Sequence, residues 1–126
     1  MSAIRCKDTA PEIVVRRIVH AMGFRFRLHV RALVGTPDMV FVSRRRIINV
    51  HGCFWHQHSC RRGRSEPKTN VEFWKRKRNR NVERDRQTRS ELRRAGWKVL
   101  DVWECQTRNR LTLEKRLRRF LTAEKR

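Results

Sequence analysis

Apolar and polar residues alternate with different periods along this chain of 126 residues, and each period predicts one type of element. Residues 9–22 repeat apolar side chains at helical intervals, Pro11 suits a first helical turn, and Gly23 ends the run. Thr9 and Glu12 have the spacing of a capping box, which by itself explains the position of Glu12. The pattern therefore predicts an N-terminal helix.

Two strand patterns follow this helix. Residues 24–29 alternate apolar with polar side chains, as a strand with one solvent-facing side does. After Pro37, residues 39–42 and 47–50 form two short apolar or β-branched runs separated by polar residues. We interpret the two runs as a hairpin, and their apolar density predicts that they are central strands.

The second half of the chain predicts a loop, two helices and one more strand. Residues 61–70 are rich in Arg, Gly, Ser, Pro and Lys and indicate an exposed loop, whereas residues 71–95 form a basic helical region closed by a glycine. A break near residues 79–81 stays open, because Asn is a weak helix former. Residues 97–103 predict a last buried strand, and residues 113–121 mark a final amphipathic helix.

The predicted order is helix, three strands, helix, strand, helix. A chain of this length has room for one core, and the sequence shows no internal repeat. We therefore expect a single α/β domain over residues 1–126.

The charge of the chain limits its partners. Lys and Arg number 33 against 12 Asp and Glu, which gives a formal net charge of +21. This excess predicts a polyanionic partner, and nucleic acid is favoured over a membrane because no apolar run approaches the roughly 20 residues of a spanning helix. No secretory signal is visible, so we expect a cytoplasmic, nucleoid-associated protein in which Cys6 is a free thiol and cysteines serve as thiols or metal ligands.

Cysteine and histidine are concentrated in residues 51–60, which hold three His and two Cys. Zinc takes four such ligands in a tetrahedron. Cys53, His58 and Cys60 can supply three of them, and Cys105 can be the fourth at the end of the last strand. The alternative, buried thiols and surface imidazoles, stays open at this point.

Two carboxylates stand at positions suited to chemistry. Asp38 follows Pro37 and directly precedes an apolar strand, where it can bind a hard cation such as Mg²⁺ or simply form a turn. Asp85 falls on the inward face of the basic helix and needs a partner there. That partner can be a histidine oriented as a general base, or a neighbouring arginine.

Five segments together resemble the very-short-patch repair endonucleases: DTAPE at 8–12, GTPD at 35–38, HGCFWH at 51–56, NVERD at 81–85 and GWKVLDVWEC at 96–105. The likeness covers about residues 1–121, and HGCFWH with NVERD and WEC is its most specific part. It implies the PD-(D/E)xK restriction-endonuclease-like core of that family, a central mixed sheet flanked by helices with a structural zinc site.

The resemblance assigns catalytic roles. Asp38 is expected to bind Mg²⁺ together with the main-chain carbonyl of Val50, while His56 activates water with Asp85 as its partner. His51 and Glu12 are expected to support them, His51 taking the place of the lysine of the wider superfamily and Asn49 that of its acid. Two magnesium ions would stabilise the attacking and leaving oxygens and leave a 5′-phosphate and a 3′-hydroxyl.

It also assigns binding residues. The implied zinc ligands are Cys53, His58, Cys60 and Cys105. Phe54, Trp55 and Trp74 match aromatics that wedge into the duplex beside a mismatch, although Trp74 can equally be a core residue. The DNA-contacting set adds Asn81 and the basic residues Arg61, Arg62, Arg64, Lys68, Lys75, Arg76, Lys77, Arg78 and Arg80. A solvated charged face is disfavoured because acidic residues are scarce in this interval.

The function implied is nicking of one DNA strand 5′ of the thymine in a T:G mismatch that arises from 5-methylcytosine deamination. We expect a monomer, with a functional link to a DNA cytosine methyltransferase. The family usually has a dozen or so residues ahead of the position of Met1, in a helix that grips the minor groove, so DNA affinity or product release is expected to differ unless the sequence is truncated.

Three alternatives remain. A related nicking nuclease could act on another DNA substrate, and a zinc-stapled module could bind DNA without catalysis. An RNA-binding ribosomal-type protein accounts for the charge but leaves the cysteine and histidine cluster without a purpose.

Overall fold

The computed structural model describes residues 9–52 and 70–123, and its elements follow the predicted order with one added 3₁₀ helix. Those elements are α1 Ala10–Ala21, β1 Arg27–Leu28, β2 Met39–Phe41, β3 Arg46–His51, α2 Val71–Arg94, β4 Lys98–Trp103, the 3₁₀ helix Glu104–Arg108 and α3 Arg110–Thr122. The predicted loop at 61–70 lies outside the described residues except for its last position.

The four strands form one mixed sheet in the order β1-β2-β3-β4. β2 is antiparallel to both β1 and β3, while β4 runs parallel to β3. The prediction that the hairpin strands are central is therefore confirmed. Because of these directions, the start of β2 and the C-terminal ends of β1, β3 and β4 meet at one end of the sheet, which we call the Asp38 end.

Apolar residues cover both faces of the sheet. On one face, α1 and α3 bury an apolar stripe against the inward residues of β2, β3 and β4, and this larger cluster includes Val15, Ile18, Val19, Met39, Phe41, Ile48, Val102, Leu113, Leu117 and Leu121. On the other face, α2 contributes Leu92 to a smaller cluster with Val40, Ile47 and Val99. The alternation of neighbouring strand residues between the two clusters is what a sheet buried on both faces requires.

The structure answers one question that the sequence left open, and one local prediction was wrong. α2 runs without interruption through residues 79–81, because the helix penalty of an asparagine is only a fraction of a kcal/mol and neighbouring turns outweigh it. The strand predicted over residues 24–29 is only two residues long. Phe24 and Phe26 pack on the larger core cluster instead of extending the ladder.

A tight loop delivers the chain to the start of β2. Gly35 has a positive φ of 76°, and a Cβ there would overlap the Thr88 side chain of α2. Only glycine combines this backbone conformation with so close an approach. Thr36 also has a positive φ, and the buried Pro37 follows. The loop thus docks on α2 and fixes where Asp38 enters the sheet.

Candidate active site

Asp38 is half-buried and is held by the end of β3. The backbone N–H of Val50 donates to its Oδ2 at 2.7 Å, and the Asn49 side chain accepts from the Asp38 backbone N–H at 3.1 Å. Asn49 therefore acts as a structural clamp on the strand pair. The amide of Val50 binds the carboxylate, while the predicted role of its carbonyl as a Mg²⁺ ligand stays a prediction.

Glu12, His29 and Asp38 come together at this end of the sheet. Ligand atoms of the three side chains all lie within 4.8 Å of one another, and Glu12 is only 2% exposed. His29 Nε2 lies 2.7 Å from a Glu12 oxygen, which also pairs with Arg16 one helical turn along α1. A carboxylate pair with an imidazole offers three donors to one divalent cation.

The capping-box interpretation of Glu12 was wrong. The Thr9 side chain makes no cap hydrogen bond, and the Glu12 carboxylate is used by Arg16 and His29 instead. His29 itself was missed by sequence reasoning. Its only signal was its place as the last polar residue of the 24–29 alternation, and the pairing of β1 with β2 was needed to bring it to Asp38.

The electrostatics of this cluster favour a bound cation. The pKa of Asp38 is raised from 3.8 to about 6, chiefly by burial and also by the negative charge of Glu12. The Val50 hydrogen bond and the nearby His51 and His29 offset only part of that shift. A carboxylate that is this poorly compensated gains from a divalent ion, which supplies the missing positive charge.

His51 is paired with a carboxylate that the sequence did not single out. It is 8% exposed, and its Nε2 lies 2.7 Å from Asp101 Oδ1 in the neighbouring strand β4. Arg89 of α2 donates its Nε–H to the other oxygen of Asp101, also at 2.7 Å, and the Trp103 ring packs 4.8 Å from the imidazole. Sequence reasoning found His51 but neither Asp101 nor Arg89.

The charge of Asp101 is well compensated. Although burial raises its pKa, the hydrogen bond and charge of His51 and the charge of Arg89 outweigh burial and hold the pKa below its ordinary value. Asp101 is therefore ionised at neutral pH and accepts both hydrogen bonds.

The predicted pair of His56 with Asp85 is untested, because His56 lies outside the described residues. Asp85 is half-buried in α2, two helical turns before the buried Leu92, in agreement with an inward position. Asn81 accepts a hydrogen bond from Arg84 at 2.7 Å on the same helix.

Several predicted DNA contacts lie on the first half of α2. Lys75, Arg76 and Arg80 are exposed, while Trp74 is half-buried with the Lys77 ammonium 5.9 Å from its ring centroid. Arg78 differs from these residues because it is only 5% exposed. Its phosphate contact stays a prediction.

The second half of α2 carries a basic groove that the sequence did not single out. It is an open groove of about 460 Å³, lined by Arg86, Arg89, Ser90, Arg93 and Arg94. These positions recur on adjacent turns of one helix, which gathers four guanidinium groups on one surface. We call it the arginine groove.

Of the predicted zinc ligands, the structure describes one. Cys105 is half-buried in the 3₁₀ helix directly after β4. The remaining predicted ligands and DNA contacts lie outside the described residues, namely Cys53, Phe54, Trp55, His58, Cys60, Arg61, Arg62, Arg64 and Lys68, as does Cys6. Within residues 9–52 and 70–123, no helix combines the length and apolar character needed to cross a membrane.

Comparison with known proteins adds independent findings. A family profile described as DNA mismatch endonuclease Vsr matches residues 1–62. The chain is 46% identical to the type II nicking enzyme V.XorIIP of Xanthomonas oryzae pv. oryzae, over 96% of this chain and 88% of that enzyme. It is 40% identical to the type II nicking enzyme V.NmeAIP of Neisseria meningitidis serogroup A, over 96% and 86%. It is 44% identical to the DNA mismatch endonuclease Vsr of Escherichia coli, over 87% and 70%.

Proposed function

Because this chain belongs to the Vsr family of DNA endonucleases, we propose that it nicks one strand of duplex DNA 5′ of the thymine in a T:G mismatch. Such mismatches arise when 5-methylcytosine is deaminated, and the nick would start very short patch repair. The observation that carries the proposal is the cluster of Glu12, His29 and Asp38 beside His51, which offers a cation site and an imidazole at one end of the sheet.

We further propose that Asp38 and Glu12 hold Mg²⁺, with His29 as an adjacent nitrogen donor. The donor set fits a divalent ion because two carboxylates share one buried site and the charge of Asp38 is poorly compensated. When bound, Mg²⁺ lowers the pKa of water and stabilises negative charge on phosphate oxygens, and a second ion would assist the leaving oxygen. The Val50 carbonyl, at the same strand end, is a proposed further ligand.

The side chains of the protein have separate tasks in this proposal. Asp38 is oriented by the Val50 amide, which donates to one of its two carboxylate oxygens. His51, and His56 with Asp85 as its partner, would take a proton from the attacking water and supply one to the leaving 3′-oxygen. The products would carry a 5′-phosphate and a 3′-hydroxyl.

We propose a structural zinc ion bound by Cys53, His58, Cys60 and Cys105. The position of Cys105 at the C-terminal end of β4, close in sequence to Trp103 beside His51, supports a role in fixing this end of the sheet. Zinc analysis of the purified protein and of Cys105→Ser measures this directly. The variant should lose the metal and melt at a lower temperature, since structural zinc contributes folding energy.

DNA contacts would involve Phe54, Trp55 and Trp74 as wedges, with Asn81 and the exposed basic residues of α2 along the phosphates. The arginine groove extends this basic surface along the same helix. A net charge of +21 favours such backbone contacts. We expect a monomer that works in the bacterial cytoplasm and is functionally linked to a DNA cytosine methyltransferase.

A second candidate is nicking at a site defined by a different sequence or structure. It is favoured by the relatives at 46% and 40% identity, which are named type II nicking enzymes. The chemistry at Asp38 would be unchanged, and only recognition of the DNA would differ.

The deciding experiment compares labelled duplexes that differ only in one T:G mismatch or its T:A counterpart. Protein and Mg²⁺ are incubated with each duplex and the strands are separated on a denaturing gel, with Asp38→Asn protein as the control for contaminating nuclease. Strand-specific nicking 5′ of the mispaired thymine supports the proposal. Equal cutting of both duplexes would favour the second candidate, and salt-sensitive binding without any cutting would contradict both.

A further inference from the structure

Asp101 lies at the meeting point of three elements. Its strand β4 is parallel to β3, in a register that places Asp101 opposite Asn49 and Trp103 opposite His51. The Asp101 side chain, 17% exposed, bridges from His51 in β3 to Arg89 in α2. Each carboxylate oxygen thus has its own partner at 2.7 Å.

The backbone of Asp101 is fixed as well. Arg116 of α3 donates to the Asp101 carbonyl at 3.2 Å and to the Gln106 side chain at 2.7 Å. The same Gln106 oxygen accepts from the backbone N–H of Trp103 at 3.0 Å. Consequently α2 holds the carboxylate from one side of the sheet and α3 holds the strand end from the other.

This arrangement determines which nitrogen of His51 carries the proton. Asp101 is ionised because its pKa lies below the ordinary value, so Nε2 must donate to it. A neutral imidazole that donates from Nε2 carries its lone pair on Nδ1. The Trp103 ring, 4.8 Å from the imidazole, restricts ring rotation. His51 also lies close enough to Asp38 for the two side chains to interact electrostatically.

We propose that Asp101 and Arg89 are positioning residues that hold His51 as its Nε2–H tautomer and direct Nδ1 to the reacting water or phosphate at the Asp38 end. The role of His51 toward DNA rests on the proposed function. The tautomer of His51, and the hydrogen bond to Asp101 that fixes it, do not depend on that function. This pair is different from the expected pair of His56 with Asp85. A buried ion pair alone adds little net stability relative to apolar residues, which favours a directing role over a purely structural one.

The test combines a double-mutant cycle with spectroscopy. Single-turnover nicking is measured for the wild type, Asp101→Asn, His51→Ala and the double variant, and DNA affinity is measured by titration. Asp101→Asn should lower the rate roughly 10- to 100-fold and change affinity less than about twofold, because an unoriented imidazole is a poor proton acceptor. It should cause no further loss in the His51→Ala background.

Glu83→Gln is the matched control, because it also removes a carboxylate. The Glu83 side chain is 62% exposed, and its ion pair with Arg86 is long, at 3.8 Å. The change should leave the rate unchanged. Independent losses for Asp101→Asn and His51→Ala, or a normal rate for Asp101→Asn, would overturn the positioning role.

The second measurement needs no activity. Nitrogen-15 NMR of the imidazoles near pH 8, where histidine is ordinarily neutral, should show the Nε2–H tautomer of His51 in the wild type and a mixture in Asp101→Asn. A mixed tautomer in the wild type would contradict the inference even if the protein nicks DNA. Failure to nick any duplex overturns the proposed function instead, and the tautomer then decides the positioning question alone. Arg89→Lys replaces Asp101→Asn if the latter does not fold.

Discussion

Asp38 and Asp101 are aspartates at the same end of the same sheet, yet their surroundings give them opposite properties. Asp38 faces a second carboxylate, Glu12, and its pKa rises to about 6. Asp101 faces His51 and Arg89, and its pKa falls below the ordinary value. Burial raises the pKa of both aspartates, so the opposite outcomes come from their neighbours: the charge of Glu12 adds to the rise at Asp38, whereas His51 and Arg89 outweigh burial at Asp101.

The largest difference is expected in catalysis. Asp38→Asn should lower the nicking rate by about 1000-fold or more, since it removes a proposed metal ligand, while DNA binding persists. The reduction for Asp101→Asn should be at least tenfold smaller. Gel-based rates and a binding titration on the same duplex measure both. Equal losses in the two variants would remove the functional distinction between the aspartates.

The next largest difference between the two aspartates is expected in metal binding. Adding Mg²⁺ or Mn²⁺ to chelator-treated protein should raise the melting temperature of the wild type by on the order of 5 °C, through ligand linkage. The same shift should appear in Asp101→Asn and vanish in Asp38→Asn. Differential scanning fluorimetry checks this. A shift that survives in Asp38→Asn would place the cation elsewhere.

The two aspartates should contribute to the pH dependence of folding stability with opposite signs. Because the folded pKa of Asp38 is raised, the folded state holds its proton longer than the unfolded chain, and stability declines as pH rises from about 4 through 6. In chelator, Asp38→Asn should therefore be more stable than the wild type at pH 7.5 by about 1–2 kcal/mol, with the gain disappearing near pH 4.

For Asp101 the folded pKa is lowered, so its stabilisation is present above its ordinary pKa and is lost as pH falls through the folded value. Asp101→Asn should be less stable than the wild type at pH 7.5. Urea unfolding at each pH measures both variants. A destabilised Asp38→Asn at pH 7.5 would contradict the description of the Asp38 cluster.

The smallest effect is expected in DNA affinity. It tests whether the arginine groove, which includes the Asp101 partner Arg89, contacts DNA. Arg93 and Arg94 line the arginine groove, so changing both to Gln should weaken DNA binding by about three- to tenfold. The slope of log binding constant against log salt concentration should become smaller in magnitude by about 1–2. The same double change at the exposed Arg118 and Arg119 of α3 removes equal charge and should have less effect. Binding titrations at several salt concentrations compare them. Equal effects would mean that only net charge matters.

Much of the fold was readable from local pattern. The helical repeat before Gly23 and the apolar runs around residues 39–42 and 47–50 correctly predicted α1 and the central hairpin, because period and burial are linked directly. Pairing lengths were less predictable. β1 is only two residues long, and Phe26, directly before it, packs against Phe41, which is a contact between distant segments.

The sequence by itself determined the element order, the basic character and, through its motifs, the family and the candidates Asp38, His51 and Glu12. Only the tertiary structure decided their partners. His29 reaches Glu12 through the pairing of β1 with β2, and Asp101 reaches His51 through the parallel register of β4 with β3. Such contacts join residues 17 and 50 positions apart. Local periodicity carries no information on those distances, because strand register is set by packing of the whole sheet.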